Sequence, residues 1–360
     1  MILKKNDFLL KKHYLCINYL LFKMLVMKNL VCLFLMCCIC MFFSCGSQPQ
    51  SQPQPQPVSV IFDTDMAPDY DDVGALAMLH AFADNGEAKI LATLSSNMYV
   101  HAVPCIEIIN IYFGRPNIPI GAPRKGPDIV DPRFKEEHEH WPDVLPTRYE
   151  HTIKSSAEAP DAVQVYRKIL ANEPDNSVNI ITVGFLTNVA ALLQSPPDQY
   201  SKLNGKELVK KKVKRLISMA GNFEHGWEFN VVTDSTASVI VFNEWPTPVL
   251  ICGFEIGVDI LTGLRLIASD IQNSPVKDAF EMGMVLDPQG RNSWDQTAVL
   301  AGVRGTEKYF GLLKGRMIVN PNGSNTWEDD PNGPHDRITW KMPKEELTIL
   351  IEELMMHVPQ

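Results

Sequence analysis

Residues 58–79 read VSVIFDTDMAPDYDDVGALAML. The segment opens with the apolar run Val58–Phe62, which predicts a buried strand, and it ends in the apolar and small residues of a helix that begins near Asp72. Five carboxylates lie between the two, within ten residues. A strand, a polar turn and a helix in this order are typical of an α/β fold, in which ligands bind beyond the carboxyl ends of parallel strands. We therefore expect the acidic turn to belong to a functional site.

The alternation of short apolar runs with helical patterns continues along the chain. The candidate strands are Val58–Phe62, Lys89–Leu94, Val178–Val183, Arg215–Met219 and Pro248–Cys252. The candidate helices are Asp72–Ala83, Val103–Phe113, Asp161–Ala171, Thr187–Leu193, Ser235–Asn243, Thr297–Arg304 and Lys344–Met356. Because the strands are apolar on both faces and amphipathic helices separate them, the sequence predicts an α/β fold with a parallel sheet covered by helices on both faces. Residues 58–360 suit one large domain.

The five acids of the turn are Asp63, Asp65, Asp69, Asp71 and Asp72. Like charges at this spacing raise one another's pKa unless a cation neutralises them. Helix capping is the simpler interpretation of Asp71 and Asp72, since acids are favoured in the first turn of a helix, but it explains one or two acids rather than five. We therefore expect a cation site. Ligands that are all oxygen favour calcium or magnesium over zinc.

Polar residues also follow the later candidate strands. They are Asn97 after the second strand, GFLTN at 184–188 after the third, Asn222, Glu228 and Asn230 after the fourth, and Asn292-Ser293-Trp294-Asp295 before a late helix. Amide and carboxylate groups of this kind suit the hydroxyls of a sugar. Each segment taken alone also has an ordinary interpretation, as a strand-to-helix turn, a polar loop or a helix cap.

Taken together, these segments resemble the nucleoside hydrolase family of the inosine-uridine-preferring type. That family has DTDPGIDD after its first strand, where this chain has DTDMAPDYDD, two residues longer. It has GPLTN where this chain has GFLTN. It also has an Asn, an acid six positions later and then FN, a spacing that this chain keeps from Asn222 onward. Its HD before a late helix corresponds here to Trp294-Asp295, so the resemblance runs from Val58 to about Arg304.

The resemblance implies an open, mostly parallel α/β sheet with a Rossmann-like core, and one Ca2+ ion at the bottom of the pocket. By motif, the ligands of the ion would be Asp65, Asp72, Asp295 and the backbone carbonyl of Val183. Asp65 would also be the catalytic base that takes a proton from a calcium-bound water.

A ribose pocket is implied as well. Its substrate-binding residues would be Asp71, which would contact a ribose hydroxyl, and Asn97, Asn222, Glu228 and Asn230. Trp294 stands where many members of the family have a His. An indole N–H has no acidity comparable to that of an imidazolium, so Trp294 would hold the base by stacking rather than protonate it.

The implied reaction is hydrolysis of the N-glycosidic bond of ribonucleosides to ribose and free base, as in purine and pyrimidine salvage, with a Ca2+-bound water attacking the anomeric carbon. Positive charge then develops on the sugar ring, and nearby carboxylates stabilise it. Two alternatives stay open. A non-catalytic, calcium-dependent lipoprotein that binds sugars or nucleosides would keep the same contacts without turnover. A dehalogenase-type phosphatase also opens with a strand and DxD, but it has Thr or Val where this chain has Ala67.

The first 57 residues predict where the protein is located rather than how it folds. Residues 1–44 combine six lysines and one acid with the unbroken apolar run Leu30–Phe43, as in a signal peptide, and residues 1–26 are interpreted as an artefact of the chosen start site. The following Cys45 lies in a sequence that resembles a lipobox, so it is the expected lipidation site, and residues 45–57 are the expected Pro- and Gln-rich tether. We expect an exported protein, lipid-anchored to the bacterial cell envelope as a periplasmic or outer-membrane lipoprotein. A plain cleaved signal or an N-terminal anchor helix is the alternative.

Composition limits the expected partners. The formal net charge is −9 and the leader is basic, so the remaining domain is strongly acidic and a poor candidate for binding nucleic acid polymers. The expected partners are a small-molecule nucleoside and the membrane, the latter through the lipid anchor only, and a homo-oligomer stays open. Only Cys105 and Cys252 follow position 45, so no disulfide framework is expected. His225 and His335 are expected at the surface.

Overall fold

The computed structural model describes residues 18–30, 56–133 and 139–359. The chain divides into two compact units, Met1–Pro55 and Gln56–Gln360. In the first unit, residues 18–30 form helix α1. The predicted lipidation site Cys45 lies outside the described residues, as does most of the predicted tether. Within the described ranges, no helix combines the length and the apolar character needed to cross a membrane.

The second unit alternates strands and helices along most of its length. Its strands are β1 (Val58–Thr64), β2 (Ala88–Ser95), β3 (Ile120–Gly121), β4 (Val178–Thr182), β5 (Val213–Met219), β6 (His225–Trp227), β7 (Val249–Cys252), β8 (Leu261–Thr262), β9 (Arg291–Asn292), β10 (Phe310–Val319), β11 (Ser324–Asp329) and β12 (His335–Trp340). Its helices are α2 (Asp71–Asp84), α3 (Ala102–Tyr112), α4 (Trp141–Arg148), α5 (Ala162–Asn172), α6 (Thr187–Gln194), α7 (Gly205–Lys212), α8 (Phe229–Thr233), α9 (Ser235–Glu244), α10 (Phe254–Gly257), α11 (Leu264–Ile267), α12 (Pro275–Gly283), α13 (Trp294–Arg304) and α14 (Lys344–Met355), with a short 3-10 helix at Ser156–Glu158.

Ten strands form one sheet in the order β3-β2-β1-β4-β5-β7-β12-β10-β11-β6. The neighbours from β3 through β12 pair in parallel. The remaining pairs, β12 with β10, β10 with β11 and β11 with β6, are antiparallel. The prediction of an open, mostly parallel α/β sheet is therefore confirmed, and an antiparallel extension is added at one edge.

Helices cover both faces of the sheet, and strand β1 shows why. Side chains alternate between the faces of a strand. Val60 and Phe62 pack in an apolar cluster with residues of α2, α3, α13 and α14. Ile61, between them, packs in a second cluster with residues of α5, α6 and α9. Each face of the sheet therefore has its own buried core, as the doubly apolar strands predicted.

The antiparallel edge was not predicted, because its strands lack the doubly apolar pattern. In β10, Leu312 and Leu313 are both exposed, so the alternation that would mark a half-buried strand is blurred. Helix α13 also begins earlier than predicted. It starts at Trp294, and the hydroxyl of Thr297 donates back to the Trp294 carbonyl within the first turn.

The two histidines have different positions. His225 is exposed in β6, as expected. The expectation for His335 was wrong, because this residue is buried in β12 and its Nδ1 accepts a hydrogen bond from the backbone N–H of Met317. Burial lowers the pKa of His335 to about 4. Its neutral imidazole therefore acts as a core hydrogen-bond acceptor.

Candidate functional site

A cavity of about 140 Å3 opens at the carboxyl ends of strands β1, β4 and β5. Parallel strands bring their following loops together at this edge, which is where α/β folds place their ligands. The cavity is lined by Asp65, Asp69, Asp71, Asp72, Val183, Met219, Trp227, Glu228, Phe229, Asn230, Phe254, Trp294 and Asp295. The residues that line the cavity therefore come mainly from the acidic turn, the β4–α6 loop, the β5–α8 segment and the start of α13.

Asp72, at the start of α2, is the best-defined candidate cation ligand. One of its carboxylate oxygens accepts a hydrogen bond from the hydroxyl of Thr64, the last residue of β1. The other, Oδ2, is buried and has no hydrogen-bond partner among the described residues. Leaving a buried carboxylate oxygen unpaired is costly. A cation in the cavity would satisfy it.

Three buried carboxylates share this electrostatic problem. Burial, followed by the charges of neighbouring acids, raises the pKa of Asp65, Asp72 and Asp295 well above the usual range. Among the neighbouring charges, Asp72 raises the pKa of Asp65 most, and Asp71 raises the pKa of Asp72 most. A divalent cation among these groups would reverse the effect, because it favours the ionised forms.

Asp71 belongs to the same cluster but is already paired. Asp71, Asp72 and Asp295 each offer one carboxylate oxygen, and these three oxygens lie within 4.8 Å of one another. However, Oδ1 of Asp71 accepts hydrogen bonds from Nε and Nη2 of Arg291, at 3.0 and 2.8 Å. Its Oδ2 faces the backbone N–H of Asp295 at 3.4 Å. Asp71 therefore lines the cavity with both of its oxygens engaged by donors.

The β4–α6 loop brings a backbone carbonyl to the cavity. The carbonyl of Val183 accepts a hydrogen bond from the side-chain amide of Asn230 at 3.0 Å, and a carbonyl oxygen keeps a second lone pair. The next residue, Gly184, has no room for a side chain, because a β-carbon there would lie 2.3 Å from the backbone nitrogen of Asp65. The glycine of the GFLTN motif therefore permits the close approach of the two loops.

Asp63 lies beneath these loops rather than in the cavity lining. Its carboxylate accepts hydrogen bonds from the hydroxyl of Tyr166 at 2.8 Å and from the amide of Asn188 at 3.1 and 3.2 Å. Burial raises the pKa of Asp63 to about 7. These contacts tie the end of β1 to helices α5 and α6.

Glu228 is the N-cap residue of helix α8, and Asn230 lies in the first turn of that helix. The Glu228 carboxylate caps helix α8 by accepting from the backbone N–H groups of Asn230 and Val231, at 2.8 and 3.1 Å, and it also accepts from Gly221 at 3.2 Å. Burial raises its pKa to about 7. The structure thus places a buried carboxyl and a buried amide in the cavity lining.

Asn97 and Asn222 are not part of the described cavity lining. The completely buried Asn97 uses its whole amide on its own surroundings: it donates to the carbonyls of Asp65 and Ile129 and accepts from the N–H groups of Tyr99 and Ile129. The backbone of Asn222 is held by the side chain of Asn325. In this structure Asn97 positions the acidic turn, and its amide has no hydrogen-bonding position left for a sugar hydroxyl.

Arg291 is a site residue that the sequence did not reveal. Its guanidinium is 2.6 Å from Asp69 and 2.8 Å from Asp71, and its side chain is almost fully buried. A buried arginine requires carboxylate partners, and this one lies near Trp294-Asp295 in the chain. The closeness of this arginine to Trp294-Asp295 in the sequence was a signal that could have marked it as a site residue. The pairing itself joins residues 220 positions apart and cannot be read from spacing.

Aromatic side chains form the other wall of the cavity. Trp294 stacks on Phe254 with ring centroids 5.1 Å apart, and its indole N–H donates to the Phe254 carbonyl at 2.9 Å. Trp227 and Phe229 also line the cavity and are largely exposed. Among the described lining residues there is no His. This wall offers ring faces, and the one indole N–H of Trp294 is already committed.

A family model and curated relatives identify the family of the chain. A family model described as "Inosine-uridine preferring nucleoside hydrolase" matches residues 60–332. The chain is similar to the non-specific ribonucleoside hydrolase RihC of Salmonella newport (strain SL254) and of Salmonella typhi, with 24% identity over 219 residues in each case. That match covers 59% of this chain and 65% of each relative, just under two thirds of their length.

Solved structures show the same fold. An inosine-guanosine nucleoside hydrolase superposes with a TM-score of 0.63 at 20% identity. An inosine-uridine preferring nucleoside hydrolase from Bacillus anthracis gives 0.63 at 16% identity, and a purine-preferring ribonucleoside hydrolase from Gardnerella vaginalis gives 0.61 at 17%. Each alignment covers 83% of this chain and 99% of the other. At these identities the likeness establishes the fold.

Proposed function

The chain belongs to the inosine-uridine preferring nucleoside hydrolase family, and we propose that it hydrolyses the N-glycosidic bond of ribonucleosides to ribose and free base. The observation that carries the proposal is the pairing of a buried acidic cluster with an aromatic wall in one cavity. The acids suit a polar sugar and the positive charge that develops on it. The rings suit a planar base.

We propose Ca2+ as the cofactor, held by Asp65, Asp72, Asp295 and the backbone carbonyl of Val183. All four ligands are oxygen, as calcium prefers. The unpartnered Oδ2 of Asp72 and the free lone pair of the Val183 carbonyl fit such an ion. When bound, the ion would orient the vicinal hydroxyls of the sugar and lower the pKa of a water. Asp71 is left out of this ligand set because Arg291 already engages it.

The residues of the chain would then share the chemistry. Asp65, on the cavity floor, takes a proton from the water that attacks the anomeric carbon. The remaining carboxylates stabilise the oxocarbenium-like sugar as the bond to the base lengthens. Glu228 and Asn230 face the sugar. Trp294 holds the base and leaves its protonation to another donor, since its own N–H is bonded to Phe254.

The direct test is an assay for free ribose on a panel of purine and pyrimidine ribonucleosides. We expect turnover by the untreated protein, loss of turnover after complete chelation, and recovery on addition of Ca2+. Full activity in a verified metal-free sample would rule out the calcium mechanism. Tight binding of nucleosides without any ribose release, in the presence of Ca2+, would favour a binding protein over an enzyme.

We also propose that the protein is exported and anchored through a lipid at Cys45. The support is the lysine-rich leader, the apolar run Leu30–Phe43 and the lipobox-like sequence before Gly46. The short Pro- and Gln-rich tether that follows would separate the enzyme from the bilayer surface. Such an anchor would place nucleoside hydrolysis in the cell envelope.

A further inference from the structure

Arg291 contacts two of the acids that line the cavity, Asp69 and Asp71. It lies in the short strand β9, directly before α13, and only 3% of it is exposed. We propose that Arg291 is an internal counter-ion that withdraws Asp69 and Asp71 from the cation site. Of the other four acids that line the cavity, Asp65, Asp72 and Asp295 are then left to the cation, and Glu228 caps helix α8. This inference rests on the calcium site of the proposed function.

Arg291 contacts three acids: Asp287 lies 3.7 Å from its Nη1, and Asp69 and Asp71 lie closer. Its Nη2 lies 2.6 Å from Oδ1 of Asp69 and 2.8 Å from Oδ1 of Asp71, and its Nε lies 3.0 Å from the same Asp71 oxygen. Hydrogen bonds between charged groups at such distances are among the strong ones in proteins. A cation that took Asp71 as a ligand would have to compete with this guanidinium, which stays protonated at any working pH.

The second oxygen of Asp71 is also committed. It faces the backbone N–H of Asp295 at 3.4 Å, at the start of α13. Asp71 therefore connects the start of α2, the start of α13 and Arg291. By contrast, the neighbouring Asp72 has one buried oxygen without a partner. These two adjacent acids therefore differ in their contacts. Asp72 has an oxygen that is available to a cation, whereas both oxygens of Asp71 accept hydrogen bonds from the protein.

Arg291 also joins the acidic turn to the aromatic wall. Its guanidinium carbon lies 5.1 Å from the ring centroid of Tyr70, in the acidic turn, and 5.1 Å from that of Trp294. A planar guanidinium packs against aromatic faces in a way that a lysine ammonium does not. Arg291 is therefore a positioning residue for Asp71 and Trp294, and it does not itself line the described cavity.

The proposal predicts an unusual direction of change. If Arg291 only supported the loop, removing it would weaken cation binding. If it is a counter-ion, its removal takes the guanidinium partner from Asp71, leaves Asp69 only Arg133 at 4.0 Å, and deletes a positive charge close to the cation. We then expect Arg291→Met to bind Ca2+ at least about tenfold more tightly than wild type, and to hydrolyse nucleosides more slowly because Asp71 and Trp294 lose their support. Arg291→Lys keeps the charge, so its Ca2+ affinity should stay near that of wild type.

The experiment is calorimetric Ca2+ titration of chelated, folded full-length protein. The matched control is Arg304→Met, which removes an arginine that pairs with Glu87 at the other end of α13. Its Ca2+ affinity should not change. Unchanged or weaker Ca2+ binding by a folded Arg291→Met variant would overturn the proposal. A wild-type protein that binds no Ca2+ would instead refute the calcium site of the proposed function.

A second pair of variants keeps the test decisive if Arg291→Met does not fold. Asp71→Asn and Asp72→Asn remove one charge each from adjacent positions of the same helix. We expect Asp72→Asn to weaken Ca2+ binding by at least about a hundredfold, and Asp71→Asn to weaken it only a few-fold. Equal losses in the two variants would show that Asp71 is a cation ligand and that Arg291 is not its counter-ion.

Discussion

Gly184 and Asp65 lie in contact across the floor of the cavity, so close that a β-carbon on residue 184 would fall 2.3 Å from the backbone nitrogen of Asp65 and 2.8 Å from its carboxylate. The two residues belong to different loops, one after β4 and one after β1. Asp65 can therefore occupy its observed position only because residue 184 has no side chain.

This contact predicts the effect of Gly184→Ala. The new methyl group must push Asp65 away from the attacking water, and a small misplacement of a catalytic group costs on the order of 10²-fold in rate. We expect kcat to fall by about that factor. Gly302→Ala is the control, because its β-carbon would meet Ile181 at 2.5 Å, away from the cavity. It should lower the melting temperature and leave kcat of the folded protein unchanged. A Gly184→Ala enzyme with wild-type kcat would contradict the assignment.

Replacing the base tests Asp65 directly. Asp65→Asn keeps the shape of the side chain but cannot accept a proton, so kcat should fall by about 10²–10⁴-fold. Because one ligand charge is also lost, Ca2+ affinity should decrease, and the assay must be run at saturating Ca2+. Asp63→Asn, two residues earlier, is the comparison: it lies outside the described lining and supports the loop, so its main effect should be on stability. Turnover at the wild-type rate by Asp65→Asn would exclude Asp65 as the base.

Glu228 predicts opposite pH dependences for stability and activity. Burial raises its pKa to about 7 from an ordinary value of 4.5. Because the folded state then holds the proton more tightly than the unfolded state, this residue's contribution to stability is full below pH 4.5 and is lost as the pH rises through 7. The ionised carboxylate of Glu228, however, best stabilises the positive charge that develops on the sugar ring. We therefore expect kcat/KM to rise as the pH approaches 7.

The measurements are melting temperature of the chelated protein and kcat/KM, both against pH. Glu228→Gln removes the titrating proton, and both profiles should become flatter between pH 4.5 and 7. Unaltered profiles in this variant would assign the pH dependence to another group.

Trp294 predicts a substrate-dependent effect. Stacking of a base on an aromatic ring is worth roughly 1–3 kcal/mol, so Trp294→Ala should raise KM for purine nucleosides by about tenfold or more. It should change KM for p-nitrophenyl riboside less, because the leaving group of that substrate has one aromatic ring in place of the fused pair of a purine. That leaving group also needs no protonation. Trp294→Phe keeps a ring and should recover most of the purine affinity. Equal losses on both substrates, with a lower melting temperature, would show that Trp294 only packs against Phe254.

The proposed lipid anchor predicts a defined mature N-terminus. Mass spectrometry of protein recovered from membranes should find a diacylated or triacylated Cys45, since one chain alone binds bilayers only marginally. Cys45→Ala should release or mislocalise the domain. A mature protein that begins at another residue and carries no lipid would refute the anchor.

The sequence predicted the parallel half of the fold because its signals are local. A strand such as β1, apolar on both faces, can be recognised without knowing its neighbours. The acidic turn predicted a cation site for the same reason, since like charges within ten residues need a counter-charge wherever they fold. The antiparallel edge has no such signal, because its half-exposed strands are defined by their partners.

The same difference between local and long-range signals separates the site residues that were predicted from those that were not. The family resemblance implied Glu228, Asn230 and Asn97 as pocket residues. Glu228 and Asn230 line the cavity, whereas the amide of Asn97 is fully used by backbone groups. Residue type indicates what a side chain can bond to, whereas only the fold shows which of those bonds are already made. Arg291 was missed because its partners lie in the first motif, 220 residues away along the chain.

The hydrogen bond between Asp71 and the start of α13 closes a loop of 224 residues. Strand β6, which leads into Glu228, is likewise held at the sheet edge by β11, a strand that is synthesised much later. Contacts so distant along the chain form late and slow the search for the native state. During synthesis, the acidic turn therefore emerges long before its partners, and the cavity cannot be complete until Asp295 and strand β11 have been made. A chain that ends before β11 should accordingly lack the strand that holds β6, and with it the support of the segment that leads into Glu228.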